Sequence, residues 1–322
     1  MRCCRRTAAL KRCFCACETP GVPLTAVTYR RHCVYNKQAM NNAPIGIFDS
    51  GFGGLTVARA IREQLPQESL IYFGDTARCP YGPRPIAEVQ GYVRQICSWL
   101  VEQGVKMIVI ACNTATAAGL HLAQQEFDVP IIGVVEPGAR AAARRTINRK
   151  VGVIATQGTV NSGAYRDAIC ARDAGIEVTS IATPLFVDIV EEGLRKEGES
   201  LGSATFSEVE LALPDNFDEV AHAYLDPFIE TQIDTLVLGC THFPLISPRI
   251  REIMGESVAV ISSAGETAKD VARTLEYRGH LCTEGHKPVY SFATTGADLA
   301  EFSEIGSRIL GAPLENPVHL DL

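Results

Sequence analysis

The sequence predicts an α/β protein built from parallel sheets with helices on both faces, in two related halves. Three observations carry this. From residue 44 onward, short β-branched runs alternate with longer amphipathic stretches, the pattern of a parallel sheet with crossover helices. Runs such as Met107-Ile-Val-Ile-Ala111 are apolar at every position, as strands covered on both faces are. And one pattern occurs twice: Met107-Ile-Val-Ile-Ala-Cys-Asn-Thr114 and Leu236-Val-Leu-Gly-Cys-Thr-His242 are both apolar strands that end in a small residue, a cysteine and two polar residues.

Taken in order, strands are expected at Ile45–Asp49, Leu70–Asp75, Met107–Ala111, Ile131–Val135, Val151–Ala155, Glu177–Ala182, Thr235–Gly239, Val258–Ser262 and Val289–Ala293. They are short runs of β-branched, aromatic and other apolar residues, most of them closed by a small or polar residue. Between them helices are expected, such as Leu55–Gln64, Pro85–Glu102, Thr114–Glu126, Val160–Asp173, Asp218–Thr231 and Thr267–Arg278. Pro85 suits a helix first turn, where a missing N–H is harmless. Lys196–Asn216 is polar, holds Gly198, Gly202 and Pro214, lacks periodicity and reads as an exposed insertion.

The chain of 322 residues is 46% apolar and 21% charged, with a formal net charge of −7. That composition is globular. No apolar run reaches the roughly 20 residues of a membrane span, and the acidic balance argues against a nucleic-acid partner. The charge is uneven. Residues 1–40 hold eight basic side chains against the single acid Glu18, a net +7, which leaves −14 for the rest. They also hold six of the twelve cysteines. Residues 1–43 are therefore expected to be a disordered basic leader, with Met40 an alternative start. An organelle transit peptide is a competing reading, since the stretch is Arg-rich and acid-poor. Cys13, Cys15 and Cys17 lack the paired spacing of a zinc site. The six cysteines of the body lack disulfide-like spacing, so reduced thiols and a cytoplasmic location are expected.

In parallel α/β sheets ligands bind beyond the carboxyl ends of the strands, so the chemistry should lie there. Cys112 and Cys240 each follow a strand and open toward a helix. Free N–H groups and a helix dipole at that place lower a thiol pKa from about 8.5 toward neutrality. Thr114, Thr241 and Asn113 beside them would offer donors to a carboxylate. Asp49-Ser50-Gly51-Phe52-Gly53-Gly54 resembles a dinucleotide-binding turn, but Thr56 stands where a third glycine is expected and Asp49 would repel a pyrophosphate. An amino-acid pocket fits better, with Asp49 for an ammonium or thiol and Ser50 for a carboxylate. The glycines would serve a tight turn needing positive φ. Tyr81 could close over a small ligand, with Gly82 exposing its N–H. His242 could tune the Cys240 thiol. The remaining histidines show no ligand spacing, so no metal is expected. The roles of Asp75, Glu136 and Glu191 stay open at this level.

These motifs together resemble glutamate racemase, within the aspartate/glutamate racemase family. The resemblance rests on Asp49-Ser50-Gly51-x-Gly53-Gly54-Leu55, Asp75-x-x-x-x-Pro80-Tyr81-Gly82, Ala111-Cys112-Asn113-Thr114-Ala115, Gly133-Val-Val-Glu136-Pro137 and Gly239-Cys240-Thr241-His242-Phe243-Pro244-Leu245, in family order across residues 44–322. It implies two pseudo-symmetric α/β domains with the active site in the cleft between them: 44–135 plus 262–322, and 136–261. It implies racemisation of glutamate for peptidoglycan synthesis with no pyridoxal phosphate, other cofactor or metal. Cys112 and Cys240 would be the acid/base pair, Asp49 assisting Cys112 and His242 assisting Cys240. Asp49, Ser50, Tyr81, Gly82, Asn113, Thr114, Thr241 and His242 would hold the substrate. Glu191 matches a family acid in Pro184-Leu-Phe-Val-x-x-Val-Glu191. Aspartate racemases share the two-cysteine chemistry, but carry an acid where His242 stands. A homodimer is compatible with the resemblance; oligomeric state and effectors are not legible in the sequence. The leader and the Lys196–Asn216 insertion depart from the family pattern.

Overall fold

The computed structural model describes residues 41–196 and 211–322. The basic leader, up to residue 40, and residues 197–210 of the expected insertion lie outside the described residues. Two parallel sheets organise the rest. The first contains β1 (Ile45–Asp49), β2 (Leu70–Gly74), β3 (Met107–Ile110), β4 (Ile131–Gly133), β9 (Tyr290–Thr294) and β10 (Val318–His319), in the order β10-β9-β2-β1-β3-β4. The second contains β5 (Lys150–Ala155), β6 (Glu177–Ala182), β7 (Thr235–Gly239) and β8 (Ala259–Ser262), in the order β6-β5-β7-β8. All the strand pairings are parallel.

Helices cover both faces of each sheet. On one face of the first lie α2 (Ile86–Glu102) and α3 (Asn113–Glu126), through Val89, Val93, Ile96, Leu100 and Ala115. On the other lie α1 (Leu55–Gln64), α10 (Ser263–Arg278) and α11 (Leu299–Leu310), through Leu55, Ile61, Val271, Leu275, Ile305 and Ile309. The second sheet packs against α4 (Val135–Arg145) and α6 (Ala164–Cys170) on one face, and α8 (Phe217–Thr231) on the other. Fully buried strands such as β3, with every residue inside, follow from this double cover. The chain passes from the first sheet to the second after β4, and returns after β8.

The elements named from the pattern agree closely in their bounds; the helices α4, α7 (Pro184–Lys196), α9 (Ser247–Met254) and α11 were not among them, and four further points differ. The expected helix Val160–Asp173 is two helices, α5 (Gln157–Ser162) and α6, because Gly163 takes a left-handed φ of 68° between them. The strand β10 was not expected; its two residues are too few to show a period. Asn41 and Asn42, assigned to the leader, belong to the body: the Asn42 side chain accepts hydrogen bonds of 3.0 Å from Thr283 N and Oγ1. And the stretch read as an exposed insertion is not wholly so. Lys196 ends α7 (Pro184–Lys196), and Leu211 is buried against Gly193, where an added Cβ would lie 2.7 Å from Leu211 Cγ. The scattered apolar residues of this stretch follow neither a helical nor a strand period, so the buried one does not stand out.

Candidate active site

Strand order decides where the site forms. In the first sheet the chain runs from β1 to β2 on one side, then starts β3 on the other, so the switch point lies between β1 and β3. In the second sheet the switch lies between β5 and β7. Crevices open beyond the carboxyl ends of strands at such points. Asp49 and Cys112 end one pair, and Thr156 and Cys240 end the other. The repeated strand-cysteine pattern is thus one topological position used twice.

The two crevices share a single cavity. Its walls are Ser50, Pro80, Tyr81, Gly82, Cys112, Asn113, Thr114, Thr156, Val187, Cys240, Thr241 and His242. Both lobes meet here directly. Thr114 Oγ1 lies 2.8 Å from Thr156 Oγ1, and Gly158 N donates to the Gly82 carbonyl at 3.0 Å. The cavity measures about 20 Å³, room for about one water. A second cavity of about 190 Å³, lined by Gly51, Cys79, Glu191 and Arg195 among others, shares the Pro80 and Val187 walls.

Of the ten site residues expected from the sequence, nine line the cavity and Asp49 lies behind it. Asp49 Oδ2 accepts from Gly54 N at 3.0 Å and Gly51 N at 3.2 Å, and Thr241 donates to Oδ1 at 3.4 Å. Burial raises its carboxyl above the usual range, against the lowering by His242 and these N–H groups.

Cys112 is the N-cap of α3, its Sγ accepting from Ala115 N at 3.4 Å and lying 3.7 Å from Ser50 Oγ. The helix N-terminus was expected to lower this thiol. It does not prevail. Burial raises the pKa, the Asp49 charge raises it further, and the lowering by Ala115 N–H and Ser50 is smaller. Desolvation of a thiolate outweighs one or two donors.

Cys240 lies in a different setting. The residues after it form a short 3₁₀ turn, Phe243–Ile246, rather than a long helix. Its partner is a side chain instead: His242 Nδ1 lies 3.6 Å from Cys240 Sγ, and His242 Nε2 lies 2.7 Å from Glu191 Oε1. Burial lowers the His242 pKa, but its hydrogen bonds to Cys240 and Glu191 and their charges overcome this and hold it well above 6.5. Burial likewise raises Glu191, but the His242 hydrogen bond and charge, with Arg195, leave it below its ordinary value. Arg195 donates to Glu191 Oε2 at 3.2 Å.

Two of the acids left open by the sequence gain a place. Glu191 is the far end of the Cys240–His242 chain. Asp75 is buried beneath Tyr81: it accepts from the Tyr81 hydroxyl, from Arg78 Nε at 2.7 Å and from Thr295 Oγ1 at 2.7 Å. Glu136 lies elsewhere, paired with Arg172 on a separate groove. Sequence reasoning missed Thr156, although the position after a strand was the signal for it. Tyr165, which donates to Asn113 Oδ1 at 2.7 Å, gave no signal at all.

The loop glycines serve a purpose different from the one expected. Gly51, Gly53 and Gly54 are absent from the positive-φ residues. They are needed for close approach. A Cβ on Gly53 would lie 2.5 Å from Thr241 Oγ1 and 2.9 Å from His242 Nδ1, and one on Gly54 would lie 2.4 Å from Asp49 Cβ.

Residues 53–271 match the family model described as Asp/Glu/Hydantoin racemase. The chain belongs to this racemase family. Among relatives of this family member is the glutamate racemase of Corynebacterium diphtheriae, 48% identical over 277 residues, which are 86% of this chain and 97% of that one. The glutamate racemase of Bacillus cereus is 44% identical, over 87% and 98%. Among solved structures, a glutamate racemase isoform from Bacillus anthracis superposes with a TM-score of 0.78 at 39% identity, covering 88% of this chain and 98% of that one. The glutamate racemase of Francisella tularensis in complex with D-glutamate gives 0.76 at 34%, covering 87% and 98%. No helix among the described residues of this racemase-family chain is long and apolar enough to cross a membrane. Among them no group of His, Cys, Asp or Glu side chains is arranged to hold a metal ion.

Proposed function

We propose that this chain interconverts L- and D-glutamate by exchanging the α-proton between Cys112 and Cys240. One observation carries the reading: the two thiols end the switch-point strands of separate sheets and line the same cavity. The α-hydrogen of an amino acid is a very weak acid, and one base reaches only one face of the carbon. A thiolate on one side takes the proton, leaving a planar carbanion, and the thiol on the other side gives one back. The roles reverse with the handedness of the substrate.

The surroundings of the two sulfurs support unequal assistance. His242, held as imidazolium by Glu191, can return a proton to Cys240 once that thiol has given its own. Asp49 makes no hydrogen bond to Cys112 among the described contacts and acts on it through charge. Ser50, Gly82, Asn113, Thr114 and Thr241 supply donors for the two carboxylates, and Tyr81, its hydroxyl held by Asp75, forms the wall beside them. Donors fixed before reaction stabilise the charge that develops on the α-carboxylate. A cavity of about 20 Å³ excludes bulk water but is smaller than glutamate, so the lobes part to admit it.

Glutamate as the substrate is supported by relatives of this name at 44–48% identity over most of the chain. On this reading the working domains are 44–135 plus 262–322 and 136–261, the enzyme is cytoplasmic, forms a homodimer and supplies D-glutamate for peptidoglycan synthesis. The test is to incubate the purified protein with L-glutamate or L-aspartate in D₂O, following optical rotation and deuterium at Cα. Loss of rotation with deuterium uptake is expected for glutamate alone. Racemisation of aspartate in its place, or glutamate binding without exchange, overturns the proposal.

A further inference from the structure

We propose that Tyr165 is a positioning residue that orients the Asn113 amide, turning its N–H₂ into the cavity as a donor for a substrate carboxylate. The inference rests on the reading above that Asn113 holds substrate. Asn113 opens α3 directly after Cys112 and is buried on the cavity wall. Its amide has one accepting end and one donating end. Tyr165 Oη lies 2.7 Å from Oδ1 and takes the accepting end. Nδ2 is buried and has no hydrogen-bond partner among the described residues. A buried N–H left unpaired destabilises a fold, so one held on the wall of a cavity points to a ligand acceptor. A carboxylate oxygen is the acceptor an amino-acid substrate brings.

Tyr165 is itself firmly placed, and from the opposite lobe. It stands on α6, and its ring packs on the strand end that leads to Cys240: a Cβ on Gly239 would lie 3.0 Å from Tyr165 Cε2. Its hydroxyl lies beside Gly138, next to Ser263, at the two places where the chain crosses between the sheets. The single hydroxyl hydrogen is given to Asn113 Oδ1. The second lobe thereby sets the donor beside Cys112 in the first, and the amide is oriented only when the lobes are together.

Three variants test this: Tyr165→Phe, Asn113→Ala and the double variant, assayed from both enantiomers. Tyr165→Phe should raise KM about tenfold in both directions with kcat nearly unchanged, as expected when one ground-state and transition-state contact is lost equally. Asn113→Ala should do at least as much, and the double variant no more than Asn113→Ala alone. If Asn113→Ala leaves KM unchanged, the substrate role of Asn113 fails. If it raises KM but Tyr165→Phe does not, or if the two effects add, the orienting role fails by itself. A crystal structure of the unaltered protein with D-glutamate gives the same answer without mutation. A carboxylate oxygen must lie within hydrogen-bond distance of Asn113 Nδ2 while Oδ1 stays on Tyr165; an amide turned the other way overturns the inference.

Discussion

His242 and Glu191 share a hydrogen bond of 2.7 Å, formed between a residue just past β7 and one on α7. It holds the imidazole charged on the Cys240 side of the cavity, where the Cys112 side has no equivalent. Glu191→Gln removes that charge, one of the two partners that raise the His242 pKa against burial, and leaves only Cys240 opposing it. The imidazolium is then lost at lower pH. The alkaline limb of kcat/KM should move to lower pH, and kcat should fall by about 10–10². A pH–rate profile with an unmoved alkaline limb contradicts this.

The two thiols should be separately indispensable. Cys112→Ala and Cys240→Ala should each lower racemisation by more than about 10⁴, since neither face can be served by the other sulfur. Each variant should still eliminate a leaving group from one enantiomer of a β-substituted analogue, and the two should prefer opposite enantiomers. Preference of both variants for the same enantiomer would place both sulfurs on the same side and contradict the scheme.

Asp49 raises the Cys112 pKa through its charge. Asp49→Asn takes that charge away, so the thiolate should form at lower pH. The alkylation rate of Cys112 against pH, resolved by mass spectrometry, should show a midpoint shifted downward. A midpoint that stays or rises would show that the field of Asp49 does not reach the sulfur.

Gly53 permits the two lobes to touch. Its alanine variant would drive a methyl group into Thr241 and His242. Displacing those residues by a few tenths of an ångström or more should lower kcat/KM by about 10², with little change in the unfolding transition. Retained activity would mean that the contact relaxes without moving Cys240.

Away from the site, Lys106 is buried against Glu68 at 2.5 Å and donates to the His280 carbonyl at 2.9 Å. Lys106→Met leaves the Glu68 carboxylate without its cation, a loss of about 3–5 kcal/mol. Urea unfolding should register it while activity at room temperature persists. An unchanged midpoint would mean that water reaches Glu68.

Most of the framework was legible in the linear pattern. Strand ends at Asp49 and Gly239, and helix spans at Leu55–Gln64, follow from local apolar periodicity and small-residue punctuation. So does the matched setting of Cys112 and Cys240. The leader and much of the 196–216 segment lie beyond what the structure describes. Other features were misread for a physical reason. The Cys112 thiol was expected low, because a helix N-terminus is a local feature, but burial and the Asp49 charge are not local. Gly53 was assigned to a turn, because the Thr241 it faces is 188 positions away in the chain.

The sequence by itself determined the alternation of strands and helices, the paired cysteines and the residues flanking them, because these are written in neighbours a few positions apart. Only the tertiary structure decided that Glu191 serves His242, that Asp75 holds Tyr81, and that Tyr165 reaches Asn113. Those pairings join segments separated by 51, 6 and 52 residues. Even the short one depends on a turn that folds Tyr81 back over the end of β2, so only packing could choose the partners.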